Sequence, residues 1–165
     1  MLSLSKKTDY ALLALCHLAR GGRERAANTR EIAEQFDLPV ELLAKVLQRL
    51  AKANLLVSTS GPTGGYRLAR SADEITVGAV VAAVDGTPAI IHCMKTVNGD
   101  CGQLTKCTIR GPLERVNARI LQMLNLTSLS EIAGDEIGFA TIPLTLAPIR
   151  PGSAGVNAGA IEACP

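Results

Sequence analysis

Three of the chain's five cysteines fall in one stretch, residues 92–107, with Cys93, Cys101 and Cys107 separated by seven and then five residues. Gly99 and Gly102 flank the middle cysteine, and no apolar periodicity runs through the segment. The composition therefore predicts a loop rather than a helix or strand. Thiolates are soft ligands suited to zinc, copper(I) or iron–sulfur clusters, so clustered loop cysteines suggest a metal or redox group. The alternative is three unrelated small hydrophobes, because a free cysteine packs like one. Cys16 differs from these three. It shares the apolar face of a helical pattern with no activating group nearby and is read as core.

The rest of the chain must position that loop. Its 165 residues allow one ordinary domain, or a small domain with an attached helical segment. Apolar residues make up 47 % of the sequence, but there are only two Tyr, two Phe and no Trp, so the core must be aliphatic. The longest apolar runs, 10–16 and 79–84, are too short to span a bilayer. Lys6-Lys7 followed by 10–16 superficially resembles a secretory leader. Asp9 interrupts it, the run is short, and Leu15 stands where a cleavage site needs a small residue. The expectation is a cytoplasmic protein without a membrane partner, whose reduced thiols favour metal over disulfides. The net charge of +2 conceals an asymmetry: residues 1–70 hold eleven Lys/Arg against six Asp/Glu, whereas 127–165 hold one against four. A basic amino-terminal half is the electrostatic footprint of a nucleic-acid surface.

Along the chain, Leu12, Leu15, Cys16 and Ala19, broadened by Leu13 and Leu18, predict a largely buried helix over residues 4–20, ended by Gly21-Gly22. Asn28 and Glu31 are spaced as a capping box before a short helix, Thr29–Gln35, with Ile32 and Ala33 inward. Phe36-Asp37-Leu38 is a tight connection, and Pro39 suits the first position of a third helix. There Val40, Leu43, Val46, Leu47 and Leu50 should face the core, while Glu41, Lys45, Gln48 and Lys52 form one polar stripe. Two short helices joined by a tight turn are the pattern of a helix-turn-helix. Asn54 ends the third helix. Residues 55–59 and 66–69 then read as strands around the turn Gly61-Pro62-Thr63-Gly64-Gly65, making a winged helix. The Gly-rich tip could bring backbone N–H groups close to phosphates, with Arg67 and Arg70 adding charge. A purely structural hairpin would need such a turn too.

Thr76 is the expected cap of a fourth helix over 75–85, with Ile75 and Val80 at hydrophobic-staple spacing and Gly86 as its stop. Beyond the cysteine loop, Leu113, Val116, Ile120, Met123 and Leu124 stripe a longer helix running from Gly111-Pro112 to Leu126. That stripe is best supplied by the same helix of a second chain, against packing back on its own domain. Ser128 and Glu131 would cap a last short helix ending at Gly134. After Phe139 the Pro-, Gly- and Ala-rich sequence suggests a flexible tail. The fold expected is mainly α with a small β-hairpin wing: a winged helix-turn-helix plus a long dimerisation helix. It divides into 1–86 (DNA-binding domain), 87–111 (cysteine loop), 112–134 (dimerisation helix and short helix) and 135–165 (tail).

This order of elements resembles the IscR/NsrR/RirA (Rrf-two) family of bacterial winged-helix transcription regulators over roughly residues 2–133. The most specific parts are the wing Gly61-Pro62-Thr63-Gly64-Gly65-Tyr66-Arg67-Leu68 and the cysteine loop. Lys7-Thr8-Asp9-Tyr10-Ala11, Gly99-Asp100-Cys101 and Cys107-Thr108-Ile109-Arg110-Gly111 look closest to regulators of the Suf iron–sulfur assembly system. The resemblance implies a homodimer on a pseudo-palindromic double-stranded DNA operator, with the helix 39–53 in the major groove and the wing in the minor groove. It also implies a 2Fe-2S or 4Fe-4S cluster held by Cys93, Cys101 and Cys107. Asp9 is the candidate fourth ligand, since it aligns with an aspartate that in the nitric-oxide-sensing branch reaches the cluster from the other subunit. His92 is the lesser candidate, and Arg110 stands where the IscR branch has a histidine. Ala44 replaces a glutamate that branch uses for base discrimination. The expected DNA-contacting set is Thr29, Glu41, Lys45, Gln48, Arg49, Lys52, Gly61, Thr63, Gly64, Gly65, Tyr66 and Arg67.

Competing readings are a nitric-oxide- or iron-responsive repressor of the same family and a zinc-stabilised DNA-binding or interaction module. The long cysteine spacings lack the paired knuckles common in structural zinc sites. No nucleophile–base–orienter arrangement supports an enzyme.

Overall fold

The structure, a computed structural model, describes residues 3–22, 25–61, 64–89 and 102–134. Cys93, Cys101, His92, Thr63, Cys164 and the expected tail lie outside the described residues. The architecture is the expected one: a mainly α winged helix-turn-helix with a two-stranded antiparallel hairpin and a long helix.

Helix α1 (Lys6–Arg20) is the element on which the others assemble, packing against α3, α4, α6 and β2. Ser5 caps it by accepting from Thr8 N–H at 3.3 Å. Its buried face is Thr8, Ala11, Ala14, Leu15, Cys16 and Leu18. The expected apolar face holds for Leu15, Cys16 and Leu18, with half-buried Leu12 and Ala19 packed against the core, but Leu13 is exposed instead.

Helix α2 (Thr29–Gln35) starts at Asn28, whose side chain accepts from Glu31 N–H at 2.8 Å, and buries Ile32 and Ala33. The Glu31 carboxylate faces Arg25 at 3.2 Å. At the far end Asp37 adopts φ 51°, and Leu38 N–H donates to Ala33 C=O at 2.9 Å, so a left-handed residue closes the tight turn. Helix α3 (Val40–Lys52) follows Pro39 at its cap. It ends in a full Schellman arrangement: Asn54 has φ 57°, Leu55 N–H donates to Leu50 C=O and Asn54 N–H to Ala51 C=O, both at 3.0 Å.

Strands β1 (Leu56–Thr59) and β2 (Gly65–Leu68) pair with Leu56 opposite Leu68 and Thr59 opposite Gly65. A third strand position escapes the sequence reading: Ala27 bridges Tyr66 by two backbone hydrogen bonds of 3.0 and 2.9 Å. Helix α4 (Val77–Asp85) has the expected Thr76 cap, buries Val77, Val80, Val81 and Val84, and stops at Gly86 with φ 82°.

After the cysteine segment come helix α5 (Arg110–Leu126) and helix α6 (Leu129–Gly134). Ser128 and Glu131 form a reciprocal cap on α6, bonding at 3.1 and 3.2 Å. α6 does not trail from α5. Leu129 is fully buried, Ala133 nearly so, and the Arg20 side chain donates to Ala133 C=O at 2.9 Å. Two backbone bonds, Val77 N–H to Thr127 C=O and Leu129 N–H to Ile75 C=O, fasten this return to the start of α4. The bare backbone of Gly78 admits the Asn125 side chain there, where a Cβ would collide with it. No helix among the described residues is long and apolar enough to cross a membrane.

Candidate nucleic-acid interface

The polar stripe of α3 lies on the open side of the helix-turn-helix. Glu41, Lys45, Gln48 and Lys52 are all exposed, while Leu43, Val46, Leu47 and Leu50 are buried behind them. Val40 does not join that core. It is 44 % exposed, because it stands at the first helical residue, beyond the elements that cover the later turns. Arg49 is turned from the stripe: its guanidinium donates to Val84 C=O at 2.9 Å, tying α3 to the last turn of α4. A cation at those last carbonyls also complements the helix dipole. Thr29 is half-buried in the first turn of α2, and Arg30, which the sequence reading did not single out, is exposed beside it.

The wing is anchored by close backbone approach. A Cβ on Gly65 would collide with the Ala27 carbonyl, and one on Gly64 would lie 2.6 Å from the Thr59 carbonyl oxygen. Glycine is therefore required at both positions by contact, and neither has a positive φ. The Thr59 hydroxyl and Gly65 backbone also bond at 3.2–3.3 Å. Gly61, with φ 122°, uses glycine's conformational freedom at the start of the tip. Alternation along β2 separates two expected contacts. Tyr66 packs on the hydrophobic core, whereas the half-buried Arg67 stands opposite Val57 on the other face.

The cysteine segment begins after α4 and returns to the described residues before α5. Where it departs, Asp85 accepts from the Thr8 hydroxyl at 2.7 Å and the Ser5 hydroxyl at 2.8 Å, joining α4 to the first turn of α1. Burial pushes the Asp85 carboxyl up, but the Ser5 and Thr8 bonds and the nearby Lys7 charge outweigh it and hold the group below its ordinary range. Asp9, the next residue along α1, is exposed. At the other end, Cys107 follows a 3-10 turn (Leu104–Lys106) and immediately precedes α5; its thiol is free and half-buried. Arg110 pairs with Glu114 at 2.9 Å, one turn into α5. Cys16 contrasts with Cys107: burial raises its thiol pKa, against the pull of Arg20, so it persists as a protonated core group. Cys107 offers a soft, half-buried thiol and Asp9 an exposed carboxylate, donor types that an iron–sulfur cluster can use, whereas Cys16 is closed in the core; among the described residues no three such side chains gather into a metal site.

None of the residues of α5 is buried. Ile109, Val116 and Met123 recur every seven residues and are 62, 44 and 60 % exposed, with Leu113 and Ile120 half-buried between them. That alternating four-and-three spacing is the one that left-handed helix pairs use.

The pattern of the family described as Rrf2, iron-dependent transcriptional regulator, matches residues 4–135. The chain is 31 % identical over 134 residues to the HTH-type transcriptional regulator IscR of Vibrio campbellii, covering 81 % of this chain and 79 % of that protein. It is 28 % identical over 135 residues to the HTH-type transcriptional regulator NsrR of Oceanobacillus iheyensis, covering 82 % and 92 %. Among solved structures it is similar to CymR, described as the global cysteine regulator of B. subtilis. The TM-score is 0.65 at 25 % identity, covering 81 % of this chain and 98 % of that one.

Proposed function

The chain belongs to the Rrf2 family of transcriptional regulators, and from that premise we propose that it is a homodimeric, cytoplasmic DNA-binding regulator controlled by an iron–sulfur cluster. The genes proposed as its targets are those of iron–sulfur assembly. The observation that carries the DNA reading is the exposed row Glu41, Lys45, Gln48 and Lys52 on the second helix of the helix-turn-helix, beside the glycine-built wing. Lys45, Lys52 and Arg67 would neutralise phosphates, Gln48 and Lys45 would reach base edges, and Thr29 with the wing backbone at Gly61, Gly64 and Gly65 would fix the docking. Arg49 serves a different end in this scheme, holding α3 against α4.

Two copies would pair along Leu113, Val116, Ile120, Met123 and Leu124, burying the seam that a single chain leaves in water. A two-fold pair of reading helices calls for a pseudo-palindromic operator. Cys93, Cys101 and Cys107 would hold the cluster, with Asp9 as the oxygen ligand. Bound there, the cluster would supply a cross-link sensitive to oxidants and to iron supply. The chain's own part is to convert the state of residues 87–109 into the position of α3. The end of α4, where that segment begins, is tied to the reading helix by Arg49–Val84 and to α1 by Asp85 with Ser5 and Thr8. A shift of this end biases both contacts at once, which is what a two-state element requires.

Anaerobic purification with iron, acid-labile sulfide and zinc analysis, followed by operator binding with and without the cluster, tests the reading. Iron and sulfide in near-equal amounts and cluster-dependent binding are expected. Zinc alone, or binding indifferent to the metal, would refute cluster control and leave a plain DNA-binding dimer.

A further inference from the structure

Val40 is assigned to the core by its helical spacing, yet the structure turns it outward at 44 % exposure. A single exposed valine is ordinary on a protein surface. Its location is what gives it a use, since the amino-terminal turn of the second helix is the part of a helix-turn-helix that meets base edges. Val40, Ala44 and Gln48 follow one another at four-residue intervals, about 6 Å per step along one side of α3. Val40 and Gln48 are exposed and Ala44 is half-buried. On this side the helix offers a branched apolar group, then a methyl, then an amide. The apolar feature of a major-groove base edge is the thymine 5-methyl group, whereas cytosine, guanine and adenine offer donors and acceptors there. Glu41, next to Val40, cannot supply that contact, since its carboxylate accepts from a cytosine amino group instead.

We infer that Val40, backed by Ala44, makes α3 a reader of a thymine methyl group in each operator half-site. The inference rests on the DNA-binding reading above and adds a base identity to it. The experiment selects a duplex from a random library with the full chain, then replaces each selected thymine by uracil, which removes the methyl and preserves Watson–Crick pairing. At one position per half-site the substitution should weaken wild-type binding about fourfold, the worth of one buried methyl-sized group. Val40→Ala should bind the thymine duplex more weakly and be indifferent to the same substitution. Its thermal midpoint should match wild type, because the side chain is half in water. Wild-type indifference at every thymine, or an equal loss in Val40→Ala, would overturn the inference while leaving DNA binding intact. A selection that enriches no sequence would overturn the DNA-binding reading itself.

Discussion

Replacing Gly65 by alanine would drive a methyl group into the backbone of Ala27. The ideal Cβ position lies 2.7 Å from the Ala27 carbonyl carbon and 3.0 Å from Asn28 N, and it overlaps the Ala27 carbonyl oxygen. None of these atoms ends a flexible side chain, so strand β2 and the 27–28 segment must separate by something on the order of an ångström to restore van der Waals contact. The two bonds between Ala27 and Tyr66, at 3.0 and 2.9 Å, span that gap and would be lost or stretched. Each is worth about 0.5–1.5 kcal/mol net, and overpacking adds roughly 1–3 kcal/mol. Relaxation shares these costs, giving a destabilisation of about 2–4 kcal/mol and a fall in melting temperature of roughly 5–15 °C. The disturbance reaches the reading head as well, because Asn28 caps α2. Urea titration followed by circular dichroism measures the stability, with Gly102→Ala as the control, since a Cβ at Gly102 meets nothing within 4 Å. A Gly65→Ala variant within 0.5 kcal/mol of that control would refute the close-approach argument.

Three further outcomes follow from other parts of the molecule. Val116→Glu combined with Met123→Glu places charges on the α5 seam and should convert a dimer into a folded monomer by sedimentation, with helix content retained; an unchanged dimer would place the interface elsewhere. Arg67→Ala should weaken binding to all DNA sequences about equally and reduce the salt slope by about one, measured by fluorescence anisotropy at several salt concentrations. Asp85→Asn should cost about 1 kcal/mol at neutral pH, a figure kept small because the carboxylate is largely solvated. Since the folded-state pKa of Asp85 is lowered, its contribution is present above the ordinary carboxylate pKa and lost as pH falls through the folded value. The difference between wild type and variant should therefore vanish in acid.

Local signals in this sequence translate directly into structure. Asn28, Thr76 and Ser128 cap the helices they precede because a cap depends only on residues two or three positions away. The same holds for Asn54 and Gly86, whose positive φ values end α3 and α4. Periodicity is less complete. It orients a helix without saying how far neighbours cover its ends, so Val40 stands in water and Leu13 lies outside the core. Long-range partners leave no periodic trace. Ala27 is a single bridging residue with no alternation around it, and Arg49 looks like part of the basic stripe until the Val84 carbonyl is seen beside it. Of the cysteines, Cys16 was separable by its helical face alone, and its burial accords with that. The other two cysteines proposed as ligands beside Cys107, Cys93 and Cys101, lie outside the described residues.

The return of the chain to its starting body has a consequence for how the protein survives damage. Residues 127–133 are stitched to α4 and α1 by backbone pairing, by buried Leu129 and by the Arg20 clamp on Ala133. A protease cut anywhere between Gly86 and the start of α5 would thus yield two pieces that co-elute under native conditions and part only in denaturant. The regulator could be nicked between α4 and α5 and still travel as one particle, its two halves held by the last short helix.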